Sequence, residues 1–167
     1  MQYRWSHRRL LAVAISSLSF SGAALADSSA NLTVTASVAA SCQVSATTLA
    51  FGPLNPLVDN DQATSIQWQC TKGFGTVIKL GGGGSGNIAA RSMGGPAALS
   101  YQLYTDAGRT TVFGDGTTGN TVPVTGTGYY VGPPPGAVTI YGRVALANAA
   151  TAPVGSYTDT VQITIVF

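Results

Sequence analysis

Apolar side chains in this sequence recur at every second position, stretch after stretch. No window carries them at the spacing of a capped amphipathic helix. Leu32, Val34, Ala36 and Val38 alternate with Thr33, Thr35 and Ser37, and Ile66 and Trp68 alternate with Gln67 and Gln69 on the way into Cys70. Tyr101, Leu103 and Thr105 form another such run, as do Val138, Ile140 and the residues up to Val144. The clearest case is the end of the chain, where Val161, Ile163, Ile165 and Phe167 alternate with Thr160, Gln162 and Thr164. Between the runs lie turn-forming stretches at 81–86, 94–96, 114–119 and 132–136, the last holding three prolines that stiffen an exposed loop. Short strands punctuated this way predict an all-β chain folded as a two-sheet antiparallel sandwich. No internal repeat interrupts the pattern.

The first residues obey a different logic. Arg4, His7, Arg8 and Arg9 precede an apolar run over 10–20 and the small-residue ending Ala24-Leu25-Ala26. That order predicts a secretory signal peptide over 1–26, because the apolar run is interrupted by Ser16, Ser17 and Ser19 and is short for a membrane span. Cleavage would remove the single His and leave Lys72, Lys79, Arg91, Arg109 and Arg143 against six Asp, with no Glu anywhere. The basic charge therefore belongs to the precursor and gives no ground for nucleic-acid binding. A chain with neither His nor Glu has few means of general acid–base catalysis, which disfavours most enzyme classes.

Cys42 and Cys70 both survive cleavage and are the only cysteines. In an exported chain an even count suggests one disulfide, here closing a loop worth about 3–4 kcal/mol in the chain-entropy model. The competing reading, a metal or redox pair, would want C-x-x-C spacing or His ligands.

Other motifs weaken on inspection. The glycines at 81–86 satisfy G-x-G-x-x-G, with Asp106 downstream, but they lead into Asn87-Ile88-Ala89-Ala90-Arg91 and more glycine rather than an opening helix. A flexible hairpin loop is the better expectation. Asp59-Asn60-Asp61 begins like a calcium loop but lacks the glycine and distal Glu, so it reads as an exposed turn. Asn31-Leu32-Thr33 is a glycosylation sequon only in form. The serine at 85 lacks the final Gly of G-x-S-x-G, and a Ser-His-Asp triad lacks its base. Tyr101, Tyr104, Tyr129, Tyr130 and Tyr141 could stack on sugars, though aromatics in alternating strands more often pack in cores. The expectation is therefore no catalytic site, no cofactor and no metal.

The two best alternating runs sit at the two ends. Residues 157–167 contain no Lys, no Pro and a single charge, Asp159, so little blunts such a strand as an edge. An edge of this kind makes sense if another chain pairs with it by strand addition. Both ends pairing within one complete sandwich is the equally open alternative.

Several blocks, in order over nearly the whole mature part, carry a resemblance. They are Ala40-Ser41-Cys42-Gln43-Val44, Leu49-Ala50-Phe51-Gly52 and the strand entering Cys70. Then come Y-x-x-Y-x-D-x-x-R-T from Tyr101 to Thr110, Ile140-Tyr141-Gly142-Arg143, and G-x-Y-x-D-T from Gly155 to Thr160. The chain resembles the spore coat protein U domain family, to which the major subunits of archaic (Csu-type) chaperone–usher pili belong. The stretch 114–136 matches poorly and reads as a variable loop.

This resemblance implies an incomplete immunoglobulin-like antiparallel β-sandwich that lacks its seventh strand and is completed by donor-strand exchange. It implies residues 27–38 as the donor, with Leu32, Val34, Ala36 and Val38 filling pockets, and 39–167 as the sandwich. The strand ending in Val161, Ile163, Ile165 and Phe167 would border the receiving groove and bind the chaperone, whose basic cleft would hold the Phe167 carboxylate. The Cys42–Cys70 bridge would pin the first strand to the second. Implied partners are identical or related subunits, a periplasmic chaperone and an outer-membrane usher. The implied role is a pilus subunit, exported to the periplasm and then the cell surface, for adhesion and biofilm formation. A tip-associated adhesin and a self-complete secreted coat protein are the alternatives.

Overall fold

The computed structural model describes residues 27–132 and 134–167, so the expected signal segment 1–26 lies outside the described residues. Two units are distinguished, and the body is Ser37–Phe167. Within it the elements are β1 (Cys42–Ala46), β2 (Asn60–Cys70), β3 (Gly75–Leu80), β4 (Ser92–Met93), β5 (Leu99–Ser100), β6 (Gln102–Tyr104), β7 (Val122–Thr125), β8 (Gly136–Val144), α1 (Leu146–Ala149) and β9 (Ile163–Val166). One sheet has the order β1-β2-β8-β6 and the other β7-β3-β9, with β4 and β5 forming a small hairpin. Every strand pairing is antiparallel.

Period-two burial builds the core. Ile66, Trp68 and Cys70 of β2, Ile78 and Leu80 of β3, Leu103 of β6, Val124 of β7, and Ile140 and Val144 of β8 are buried and pack as one cluster. Gly136 is needed where it stands, since a Cβ there would collide with the Trp68 ring. These contacts make the expected all-β sandwich.

Three elements differ from the sequence expectation. Residues 27–41 belong to no strand or helix although 32–38 alternate cleanly, and Leu32, Val34 and Val38 are more than four-fifths exposed, at 87%, 82% and 85%. Alternation records which side chains would be buried, but a strand needs a neighbouring backbone to bond with. The stretch read as a variable loop contains β7, whose Pro123 suits only an edge position. The last strand is shorter than 157–167: β9 begins at Ile163, and before it only an isolated bridge joins Gly94 to Thr158.

Candidate functional site: an open seam between β1 and β9

β1 ends one sheet and β9 ends the other, and they approach each other across the sandwich. Each is bonded to a neighbour on one side only, among the described residues. β1 is held against β2 by the disulfide, since Cys42 and Cys70 are direct register partners and their bond is formed. β9 is held against β3 with Ile163 opposite Leu80 and Val166 opposite Val77.

Along the last strand the side chains alternate. Val161, Ile163 and Ile165 pack on the core yet stay only partly buried, while Gln162, Thr164 and Val166 are exposed. A complete sandwich would cover that inner row. Phe167 lies just past β9 and is 66% exposed. Thus the structure places Val161, Ile163 and Ile165 on one seam with the bridged Cys42, and leaves Phe167 in solvent at its end. Leu32, Val34, Ala36 and Val38 are exposed, and none is in a sheet.

The start of β9 is pinned by a buried polar network. The Asp159 carboxylate accepts from the Tyr101 hydroxyl (2.6 Å), the Gly84 amide (2.7 Å) and the Thr160 amide (2.7 Å). Burial and the Asp159 carboxylate push the Tyr101 hydroxyl well above its ordinary value, so it stays a donor. Gly81 donates its amide to the Gln162 carbonyl (2.9 Å), and its own carbonyl accepts from Arg91 Nε and Nη2 (3.0 and 2.8 Å). Arg91 is wholly buried, and desolvation lowers its pKa from the ordinary guanidinium value. The expected flexible glycine loop is instead a 3-10 turn seated on Asp159. Gly83 has φ +66°, and a Cβ on it would meet the Asp159 carboxylate.

Other candidates find structural uses. Asp61 pairs bidentately with Arg143 (2.7 and 2.8 Å) and also meets Arg109 (3.2 Å), while Asp59 meets Arg143 (3.4 Å). The hydrogen bond from Arg143 holds the Asp61 carboxyl below the usual carboxylate range. The aspartates with the start of a calcium loop therefore face guanidinium groups. In the Y-x-x-Y-x-D-x-x-R-T block, Asp106 caps the turn by accepting from Thr110 and Thr111 amides, and Arg109 lies over the Tyr141 ring. Tyr101 is buried and Tyr141 is covered by Arg109, which removes both from any sugar-stacking surface. Among the described residues no cluster of three or more His, Cys, Asp or Glu could hold a metal, and no helix is long and apolar enough to cross a membrane. The sequence pattern singles out neither Arg91 nor β7. A lone Arg between glycine runs carries no periodic signal, whereas Pro123 flanked by Val122 and Val124 is a readable edge-strand cue.

Comparison with known proteins gives matches of three kinds. A family model, the Spore Coat Protein U domain, matches residues 28–164. Protein U of Myxococcus xanthus is 36% identical over 174 aligned positions, covering 92% of this chain and 93% of that protein. Among solved structures, a chain in the CsuC–CsuE chaperone–tip adhesion subunit pre-assembly complex from archaic chaperone–usher Csu pili of Acinetobacter baumannii is similar with a TM-score of 0.50 and 20% identity. The alignment covers 78% of this chain but only 40% of that one, and it speaks for the fold alone.

Proposed function

Because the chain belongs to the Spore Coat Protein U domain family, we propose that it is a structural subunit of a chaperone–usher pilus, not an enzyme, polymerising by donor-strand exchange. The observation that carries this reading is the open seam: two edge strands on one side of the sandwich, with Val161, Ile163 and Ile165 half-covered between them. In the proposed assembly, residues 27–38 of one copy enter the seam of the next. Leu32, Val34, Ala36 and Val38 cover the apolar row, and the donor backbone bonds to the free edge of β9. Each larger apolar side chain buried this way is worth roughly 1.5–3 kcal/mol, and the hydrogen-bond ladder adds to it. Together they rival the stability of a small domain. Donor and seam are different surfaces, so the contact is head-to-tail and the product is an open filament.

Before assembly a periplasmic chaperone would fill the same seam and grip the exposed Phe167 carboxylate. An outer-membrane usher would then pass the subunit to the cell surface, where the filament serves adhesion and biofilm formation. A signal peptide over 1–26 is part of this proposal. The self-complete coat protein is less well supported, since Leu32, Val34 and Val38 stand exposed.

Deletion of residues 27–38 is expected to leave a chaperone-bound subunit that forms no SDS-resistant ladder. The double substitution Leu32→Asp and Val34→Asp should abolish the ladder as well, because it puts charges against an apolar row. Normal polymerisation of the deletion would sink the donor assignment. Unchanged filament stability in the double variant would favour the self-complete sandwich.

A further inference from the structure

Two exposed apolar patches lie at opposite ends of the sandwich. At the end holding Cys70 and Gly136, the loop after β7 exposes Tyr129 (43%), Tyr130 (56%) and Val131 (110%). This loop is anchored: the Tyr129 hydroxyl lies 2.9 Å from Ser41 Oγ, and the Tyr130 amide donates to Gln69 Oε1 (3.3 Å). The leader departs from the same place. The Ser41 amide donates to Thr71 Oγ1 (3.0 Å), the Thr71 amide donates to the Ser41 carbonyl (2.9 Å), and Thr71 Oγ1 donates to the Ala39 carbonyl (3.2 Å). At the other end, where Asn60 pairs with Val144, Leu57 (79%), Val58 (51%) and Leu146 (41%) are exposed. They are fixed too. Leu57 donates its amide to Asn55 Oδ1 (2.9 Å), Asn60 Nδ2 donates to the Val58 carbonyl (3.0 Å), and Leu146 donates its amide to Asp59 Oδ1 (2.8 Å).

Strand directions bring these patches together in a filament, provided the donor-strand reading holds. β9 runs from the Leu57 end, where Gly81 bonds Gln162, to the Tyr129 end, where Val166 faces Val77. Both sheets are antiparallel throughout, so a strand added beside β9 in the same sense runs the opposite way. Its C-terminal residue, Val38, then emerges at the receiver's Leu57 end. Only residues 39–41 separate Val38 from the donor's own β1, a reach of about 10 Å when extended. The donor's Tyr129 loop is thereby set against the receiver's Leu57 end.

We propose that Tyr129, Tyr130 and Val131 of one copy dock on Leu57, Val58 and Leu146 of the next, forming a second contact beside the donor strand that fixes the angle between consecutive subunits. The chemistry suits this occupant. Exposed Tyr is an efficient anchor because its ring buries apolar area while its hydroxyl stays solvated or bonded. The receiving patch is apolar and rimmed by the Asp59–Arg143 ion pair. The contact is heterologous, as an open filament requires.

The test is disulfide trapping in assembled filaments of the full chain, with Val131→Cys and Val58→Cys in one polypeptide. Oxidised double-variant filaments, boiled in SDS without reductant, should give a covalent ladder that collapses on reduction. Either single variant should give monomer. If unboiled ladders form yet the boiled double variant runs as monomer, the second contact is refuted while the donor strand stands. A covalent dimer from Val131→Cys alone would mean like ends meet, and it refutes the proposal as well. If no unboiled ladder forms even without the substitutions, the donor-strand reading fails and takes this inference with it.

Discussion

Replacing Arg91 with Met is expected to lower stability by about 3 kcal/mol, and the reason separates two effects that a buried cation combines. The guanidinium is wholly buried, and among the described residues it forms no salt bridge. Burying it therefore costs free energy that an apolar residue of similar length would restore, an effect of several kcal/mol. Against this stand its acceptors: the Gly81 carbonyl, the Phe113 carbonyl (2.8 Å) and Gln102 Oε1. Methionine would leave the two carbonyls buried without donors, at about 1–3 kcal/mol each and toward the upper end because the lost donor is charged, while Gln102 Oε1 would keep the Leu103 amide. The orphaned acceptors outweigh the relieved charge. Urea unfolding monitored through the fluorescence of core residue Trp68 should show the midpoint falling by about 1–3 M, given slopes near 1–3 kcal/mol per M. Arg91→Lys should fall between, because an ammonium keeps the charge but cannot span oxygens arranged for a planar fork. A midpoint for Arg91→Met equal to or above that of the parent would refute the reasoning. It would mean that desolvation of the charge, rather than satisfaction of the carbonyls, dominates the site.

The glycine turn and the ion cluster give two further expectations. Gly86→Ala should cost about 1–2 kcal/mol, since Gly86 has φ +66° in open space. Gly83→Ala has the same φ but also drives a methyl into the Asp159 carboxylate, so about 3–5 kcal/mol is expected, read as the difference in urea midpoints. Equal losses would show that Asp159 does not seat the turn. For Asp61, the folded pKa lies below the unfolded value, chiefly through the Arg143 hydrogen bond. Its stabilisation is therefore complete at neutral pH and lost as pH falls through the ordinary carboxylate range toward the lowered value. Asp61→Asn should have a lower midpoint at pH 7 and a flatter acid limb than the parent in urea titrations between pH 2 and 7. Parallel curves would exclude this linkage.

Much of the fold was legible because burial in a sandwich leaves a two-residue signature: Ile66, Trp68 and Cys70, or Ile140 and Val144, are apolar at the spacing at which they are buried. The disulfide was legible for a simpler reason, two cysteines and no other partners. At 32–38 the same alternation carries no burial within the chain itself, since Leu32, Val34 and Val38 stand exposed. What stayed hidden depends on long-range geometry. Nothing local to Arg91 announces that the carbonyls of Gly81 and Phe113 converge on it, and nothing in the glycine run announces the Asp159 carboxylate it surrounds. The seam itself was expected only through family resemblance. A missing strand is a property of topology, which local pattern does not carry.

The other two edges of the sandwich have their own consequence. β6 is only three residues long, with the Val112 and Phe113 arm bonded alongside it, and the β7 edge carries Pro123, which has no amide to offer. If the donor-strand reading holds, the seam between β1 and β9 is thus the one border, among the described residues, that an incoming strand would find open. On that reading growth would be confined to a single dimension, and copies crowded side by side would find the β6 and β7 borders too short or too poor in amides to fuse into plaques.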